Sequence, residues 1–345
     1  MRRAPAAAAF AAVATVLAIG LTGCQGTDPT AGGPDDPPAA PTPDEPIVAP
    51  LTGVEVDDPG VLQRPVVALK VDNAPMARPQ LALEVADILF TEVVEGGTTR
   101  FIALYHSALP EEAGPVRSGR DVDAQILPAF SPVFGISGAA GPTYVELRGA
   151  GLLVYEEGQA EAFTRDRNRP SPHNLMASTV ALANAAGDLP PATAPWPFDA
   201  APLEGGQEAS AAQLVYSPFY AAAWDWDAGQ NAWVRSQEGG PHTRADGEQL
   251  SADTVVIARV SAFDGAGVDA GGNPVPEVNA IGEGDATILR DGRSFPARWR
   301  KTAPDSHFEW LTPEGQPLPL SPGRTWVELV PNAGSVTVAT TPAGG

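Results

Sequence analysis

One cysteine, two lysines and four histidines in 345 residues set the first limits on this chain. A lone Cys24 cannot close an internal disulfide and leaves no cysteine-rich metal site. Basic residues are scarce: 21 Lys and Arg stand against 42 Asp and Glu, a formal charge of −21. Tracking a phosphate backbone requires a basic field, so nucleic acid is excluded as a partner. Neither a Walker loop nor a G-x-G-x-x-G fingerprint occurs, and no cofactor is expected. The serine-hydrolase elbow is missing as well, because Gly135-Ile136-Ser137-Gly138-Ala139 lacks the closing glycine and S-x-x-K is absent. Asp225-x-Asp227 lacks the glycine and the bidentate glutamate of a calcium loop, and no metal is expected.

What is present begins with Met1-Arg2-Arg3 and an apolar run over residues 4–21, which together form a secretory signal. The run ends in Leu21-Thr22-Gly23-Cys24, which resembles the lipobox of bacterial lipoproteins. Residues 1–23 are therefore expected to be a signal peptide and Cys24 the acylated anchor, with an uncleaved anchor or a free thiol as the other reading. The expected location is extracytoplasmic, lipid-anchored to the cell membrane. Residues 24–60 are rich in Pro, Gly and Asp, cannot bury enough apolar surface to offset chain entropy, and read as a disordered tether. Residues 336–345 read as a disordered tail.

Between tether and tail the sequence has two textures. Residues 65–72, 87–94, 99–107, 132–137 and 152–155 are strand candidates, while 80–86, 120–130, 143–150 and 178–186 suggest helices, the last with Ser178 as N-cap. A Pro- and Gly-rich stretch over 190–206 follows, and beyond it short strand candidates alternate with turns such as Asp291-Gly292. These patterns predict an α+β chain: a mixed α/β layered domain over 61–195 and a smaller β-rich domain over 207–335. Trp224 and Trp226 share one face of a strand and are either core or a sugar-stacking platform.

Nine of the 19 arginines lie between residues 64 and 169, and four of them, Arg78, Arg100, Arg117 and Arg120, fall at or near expected strand ends or helix starts. Arginine suits bidentate contact with carboxylate or phosphate. Arg78, Arg100, Arg117 and Arg120, with Ser118 between the last two, are candidate ligand residues, and so are Asp72, Asn73, Glu92 and Glu95 beside them. His173 and Asn174 follow Pro172, and His242 follows Pro241, so each histidine is held in a polar loop as a candidate acid, base or ligand. The competing reading is an ion network in which the arginines pair with Glu92, Glu95 and Asp121 and only order loops.

Several of these segments recur as motifs: Lys70-Val71-Asp72-Asn73, Ala77-Arg78-Pro79-Gln80, Glu92-x-x-Glu95-Gly96-Gly97-x-Thr99-Arg100-Phe101, Gly114-Pro115-Val116-Arg117-Ser118-Gly119-Arg120 and Pro172-His173-Asn174. With Tyr216-Ser217, Gly240-Pro241-His242 and Pro322-Gly323-Arg324-Thr325-Trp326, they make the chain from about 62 to 331 resemble the YerB-like family of bacterial lipoproteins. The resemblance implies a lipid-anchored envelope protein with an α/β layered domain and a smaller β-rich one, and supplies no activity. The leading expectation is a protein that binds an anionic or polyol cell-wall component, glycopolymer or peptidoglycan, through an arginine-rich cleft. One alternative is a hydrolase or transferase on the same glycan or peptide, with Glu92 or Glu95 and His173 as acid and base. The other is a structural lipoprotein that contacts an envelope protein and takes no small ligand.

Overall fold

The computed structural model describes residues 46–269 and 272–340; the signal segment, Cys24 and the start of the tether lie outside the described residues. Strands β1 (Val67–Asp72), β2 (Ile88–Val93) and β3 (Thr99–Tyr105) are runs of mainly apolar residues with every position buried. Runs without polar alternation suit strands covered on both faces. β1 and β2 both pair antiparallel with β3, and β4 (Val133–Gly135) and β5 (Leu153–Tyr155) extend the sheet in parallel beyond β1. β6 (Phe163–Arg165) and β7 (Leu175–Ala177) form a separate two-stranded ribbon.

In the second half, β8 (Gln207–Ser217), β9 (Tyr220–Asp227) and β10 (Ala232–Gln237) run as an antiparallel meander. The short β11 (Gly240–Pro241) and β12 (Ser251–Ala252) pair with β10. The 15-residue β13 (Thr254–Val268) pairs with β14 (Pro274–Asn279) at one end and β15 (Gly282–Arg290) at the other. β16 (Arg293–Lys301) and β17 (Glu309–Leu311) continue from β15, and β18 (Thr325–Pro331) lies parallel to both β13 and β2. β19 (Ser335–Thr340) closes the edge of β8. The order β5–β4–β1–β3–β2–β18–β13–β15–β16–β17 is thus one mixed sheet that draws strands from both halves.

The α+β expectation is corrected by this sheet. The structure is 43% strand and 13% helix, and no α/β layered domain forms over 61–195. Among the described residues the α-helices are α1 (Asp123–Ile126), α2 (Gly141–Gly149) and α3 (Thr179–Ala185), of four, nine and seven residues. α2 lies where the helix over 143–150 is predicted, and α3 begins as the sequence predicts, with Ser178 Oγ accepting from the Ala181 N–H at 3.1 Å. The run 80–86 carries helix-type residues, but Leu81 N–H donates to Gly114 O at 2.8 Å and Ala82 sits at φ 67°, so a single 3-10 turn remains. Across 120–130, α1 gives way after one turn to a 3-10 turn over Leu127–Phe130, in which Pro128 supplies no donor and which Ser131 ends at φ 46°. Tertiary hydrogen bonding thus overrides local helix preference at 80–86, while proline shapes the helical stretch at 120–130.

Candidate functional site

The loop after β3 builds the site. Residues 113–117 thread between β1 and β7: Val71 bridges Val116, Arg117 N–H donates to Lys70 O at 2.7 Å, and Val116 N–H donates to Leu175 O at 2.6 Å. The passage is narrow. A Cβ on Gly114, at φ 140°, would lie 2.9 Å from Val116 N and 3.1 Å from Leu175 O, so only glycine fits. The same threading brings Arg117 to the end of β1 and places the segment before β7, with His173, beside it. Among the described residues three X-Pro bonds are cis: Arg78–Pro79 in the loop after β1, Gly114–Pro115 in the threaded loop and Ser171–Pro172 in the segment before β7.

Asp72, only 3% exposed at the end of β1, is the hub. Its Oδ1 accepts the Ala74 N–H at 3.0 Å. Its Oδ2 accepts His173 Nδ1 at 2.6 Å and forms an ion pair with Arg117 Nε at 3.0 Å, outside hydrogen-bond geometry. An ionised carboxylate only accepts, so Nδ1 carries the proton and Nε2 points away from Asp72. Among the described residues neither His173 Nε2 nor the terminal nitrogens of Arg117 have a protein partner, and both side chains are about a fifth exposed, at 18% and 22%.

Beside this pair, Arg100 and Arg120 are tied down. Arg120 pairs with Glu95 at 2.5 Å and donates to Gly119 O at 2.7 Å, while Arg100 donates to Ser118 O at 2.9 Å and stands 3.8 Å from Glu95. Burial, with Arg120 alongside, draws Arg100 down to about 10. Against the opposing effect of burial, the hydrogen bond and charge of Arg120 hold the Glu95 carboxyl below the ordinary glutamate range. Ser118 Oγ lies 3.5 Å from Ser137 Oγ.

Not every predicted site residue joins this group. Arg78 leans on Asn73 O and pairs with Glu238 across the two halves of the chain. Asn73 is buried, its amide donating to Thr99, Tyr220 and Gln237 at 2.8–3.0 Å. Asn174 turns instead toward Arg165 and Asp166. Glu92 has no exposure and holds Lys70. His242 is interior too: Nδ1 accepts from Arg235 at 2.9 Å, so Nε2 is the donor to Gln80 Oε1 at 2.9 Å. Burial and the Arg235 charge keep it neutral, well below its ordinary range.

That interior contains charged residues the sequence did not single out. Arg235 and Glu328, both fully buried, pair at 3.1 Å, with Tyr216, Tyr220 and Gln237 around them. The Arg235 guanidinium also lies 4.8 Å from the centroid of the Trp326 ring. Their signal was a charge inside an apolar strand run, Trp233-Val234-Arg235 and Trp326-Val327-Glu328, and the same holds for Lys70 in Val66-Val67-Ala68-Leu69-Lys70. Trp224 is fully buried and donates to Glu328, and Trp226 packs on Trp233 with ring centroids 5.4 Å apart, so the pair serves the core.

A mixed sheet with a charged site on the loops at the end of β1 defines a class. The chain belongs to the family described as Protein of unknown function (DUF3048), with the N-terminal domain matching residues 51–191 and the C-terminal domain residues 212–327. Within it the chain is similar to YerB of Bacillus subtilis (strain 168), named as a lipoprotein, at 26% identity over 316 residues, 87% of this chain and 91% of YerB. The crystal structure of the YerB protein from Bacillus subtilis has the same fold, with a TM-score of 0.72 and 24% identity over 84% of this chain and 99% of that one.

Proposed function

We propose that this protein is anchored to the outer face of the cell membrane through Cys24 and binds an anionic or polyol group of a cell-wall component at Arg117 and His173. The observation that carries the binding reading is the single Asp72 oxygen that holds both side chains and leaves their distal nitrogens without a partner. A protonated His173 donates from Nε2 to an anion, and a neutral one accepts there from a hydroxyl, which suits a ligand carrying both groups. Arg100 and Arg120 add positive field behind them in a chain that is otherwise strongly acidic. The anchor rests on the lipobox-like segment and on the name of the relative.

The test is a thermal-shift titration of the purified full chain with dimethyl phosphate, wall glycopolymer fragments and muropeptides. A ligand that binds only the folded state raises the midpoint by mass action. Arg117→Ala is expected to abolish that shift while moving the ligand-free midpoint by about 1–3 °C, the effect of losing one partly exposed ion pair. A larger fall without ligand would favour the loop-ordering network. No shift with any of these ligands would leave the interaction-protein reading.

The Asp72–His173 contact also favours a second reading, hydrolysis or transfer on the same material, because a neutral imidazole held at Nδ1 by a carboxylate presents Nε2 as a base. Turnover of a bound wall fragment that disappears in His173→Asn with binding retained would establish it. Binding without turnover would discard it.

A further inference from the structure

Beneath the site lies a second charged cluster that ligand binding does not use. Lys70 on β1, Glu92 on β2 and Asp123 in α1 have side chains with no solvent exposure. Lys70 Nζ donates to Glu92 Oε1 and, at 2.5 Å, to Asp123 Oδ1. Asp123 Oδ2 accepts the Arg120 N–H at 2.7 Å, which ties the cluster to the arginine loop above. Glu92 Oε2 is buried and has no partner among the described residues. Two carboxylates thus share one ammonium away from water, a state in which the ionised form of the less well-held one is disfavoured.

We infer that Glu92 is a proton-operated control on the Arg117–His173 site, weakening its hold on anions when the buried carboxyl ionises. The inference rests on the ligand reading above. With Glu92 neutral, Lys70 and Asp123 cancel. Ionisation adds one uncompensated negative charge under Arg100 and Arg120, and an anionic ligand at Arg117 meets a less positive field. Burial raises Glu92 to about 7, against the pull of Lys70 and with the charge of Asp123 adding to it, which puts the change at neutral pH. The charged groups on this face are Lys70 and Asp72 from β1, Arg100 from β3 and Glu95 from the turn after β2. The loop above adds Arg117 and Arg120, and α1 adds Asp123. His173 joins them through Asp72, whereas Glu328 on β18 is in register with Thr91 and faces the other side of the sheet.

The probe is dimethyl phosphate, whose single charge is constant across the neutral range, titrated into the full chain at several pH values. Wild-type affinity is expected to fall roughly three- to tenfold between about pH 6 and pH 8 beyond any fall in Glu92→Gln, which is isosteric, stays neutral and still accepts from Lys70. Any slope left in Glu92→Gln belongs to groups other than Glu92. Without ligand, the raised folded-state pKa gives stability that is full below the unfolded value and is lost as pH rises toward about 7, so Glu92→Gln should gain on wild type along that rise. A carbon-13 spectrum of glutamate-labelled wild type should also show one carboxyl titrating near neutrality, a readout that does not depend on the variant folding. Identical binding profiles in wild type and Glu92→Gln, with binding still lost in Arg117→Ala, would overturn this inference and leave the ligand reading intact. No binding of the probe at any pH would also overturn this inference, and the ligand reading would then stand or fall with the wall glycopolymer fragments and muropeptides.

Discussion

Arg235 and Glu328 face each other with no solvent exposure, held also by Tyr216, Trp224 and the ring of Trp326. A charge taken out of water is tolerated only when its partners replace the lost hydration, so removing one member of such a pair costs more than the pair itself contributes. Arg235→Met should destabilise the protein by about 3–5 kcal/mol, read as a lower urea midpoint at unchanged slope. Glu328→Gln in the same chain should recover part of that loss, because the stranded carboxylate is then neutral. His242 belongs to this interior and not to the ligand site. Its loop, Gly240-Pro241-His242, reads as exposed and polar in sequence, and only the pairing of β10 with β11 and β12 turns the imidazole inward toward Arg235 and Gln80.

At the scale of elements, β18 is the member the sheet depends on most. It forms a seven-residue parallel ladder with β13 and a four-residue one with β2, and among the described residues no other strand of the second half pairs with β1, β2 or β3. A chain ending before β18, at residue 206, would leave the apolar edge of β2 open to other molecules. Expressed alone, residues 46–206 should aggregate or unfold without a cooperative transition; a sharp, reversible melt of that fragment would show that the first half does not need the ladder. The inner strands were legible because residues 65–72, 87–94 and 99–107 are mainly apolar and bounded by turns. Over 80–86 the residues favour helix, yet only a 3-10 turn forms because the Leu81 N–H is claimed by Gly114 O, whereas 120–130 does coil, as the one turn of α1 followed by a 3-10 turn over Leu127–Phe130.

For the whole molecule, the anchor proposed above has to be covalent, because a chain with a formal charge of −21 is not drawn to an anionic membrane by its field and has a single cysteine to acylate. Electrostatic attraction does not supply it. Cys24→Ser is expected to abolish incorporation of labelled fatty acid and to release the protein from the membrane fraction, whereas retention of both would sink the anchor proposal. The acidic body also gives the Arg117 site its contrast, because unpartnered cationic nitrogens there are a local exception to the overall field.

The sequence alone determined what depends on neighbouring residues: the burial of the apolar strand runs, the cap at Ser178 and the family motifs. Tertiary structure decided what depends on residues far apart in the chain. Asp72, Arg117 and His173 meet only because one loop is threaded between β1 and β7, and Lys70 finds Glu92 and Asp123 only because β1 and β2 flank β3 and α1 covers them. A side chain's charge is written in the sequence, but whether it meets water, a ligand or a buried partner is set by long-range pairing, and that sorted the candidate arginines and histidines into site and core.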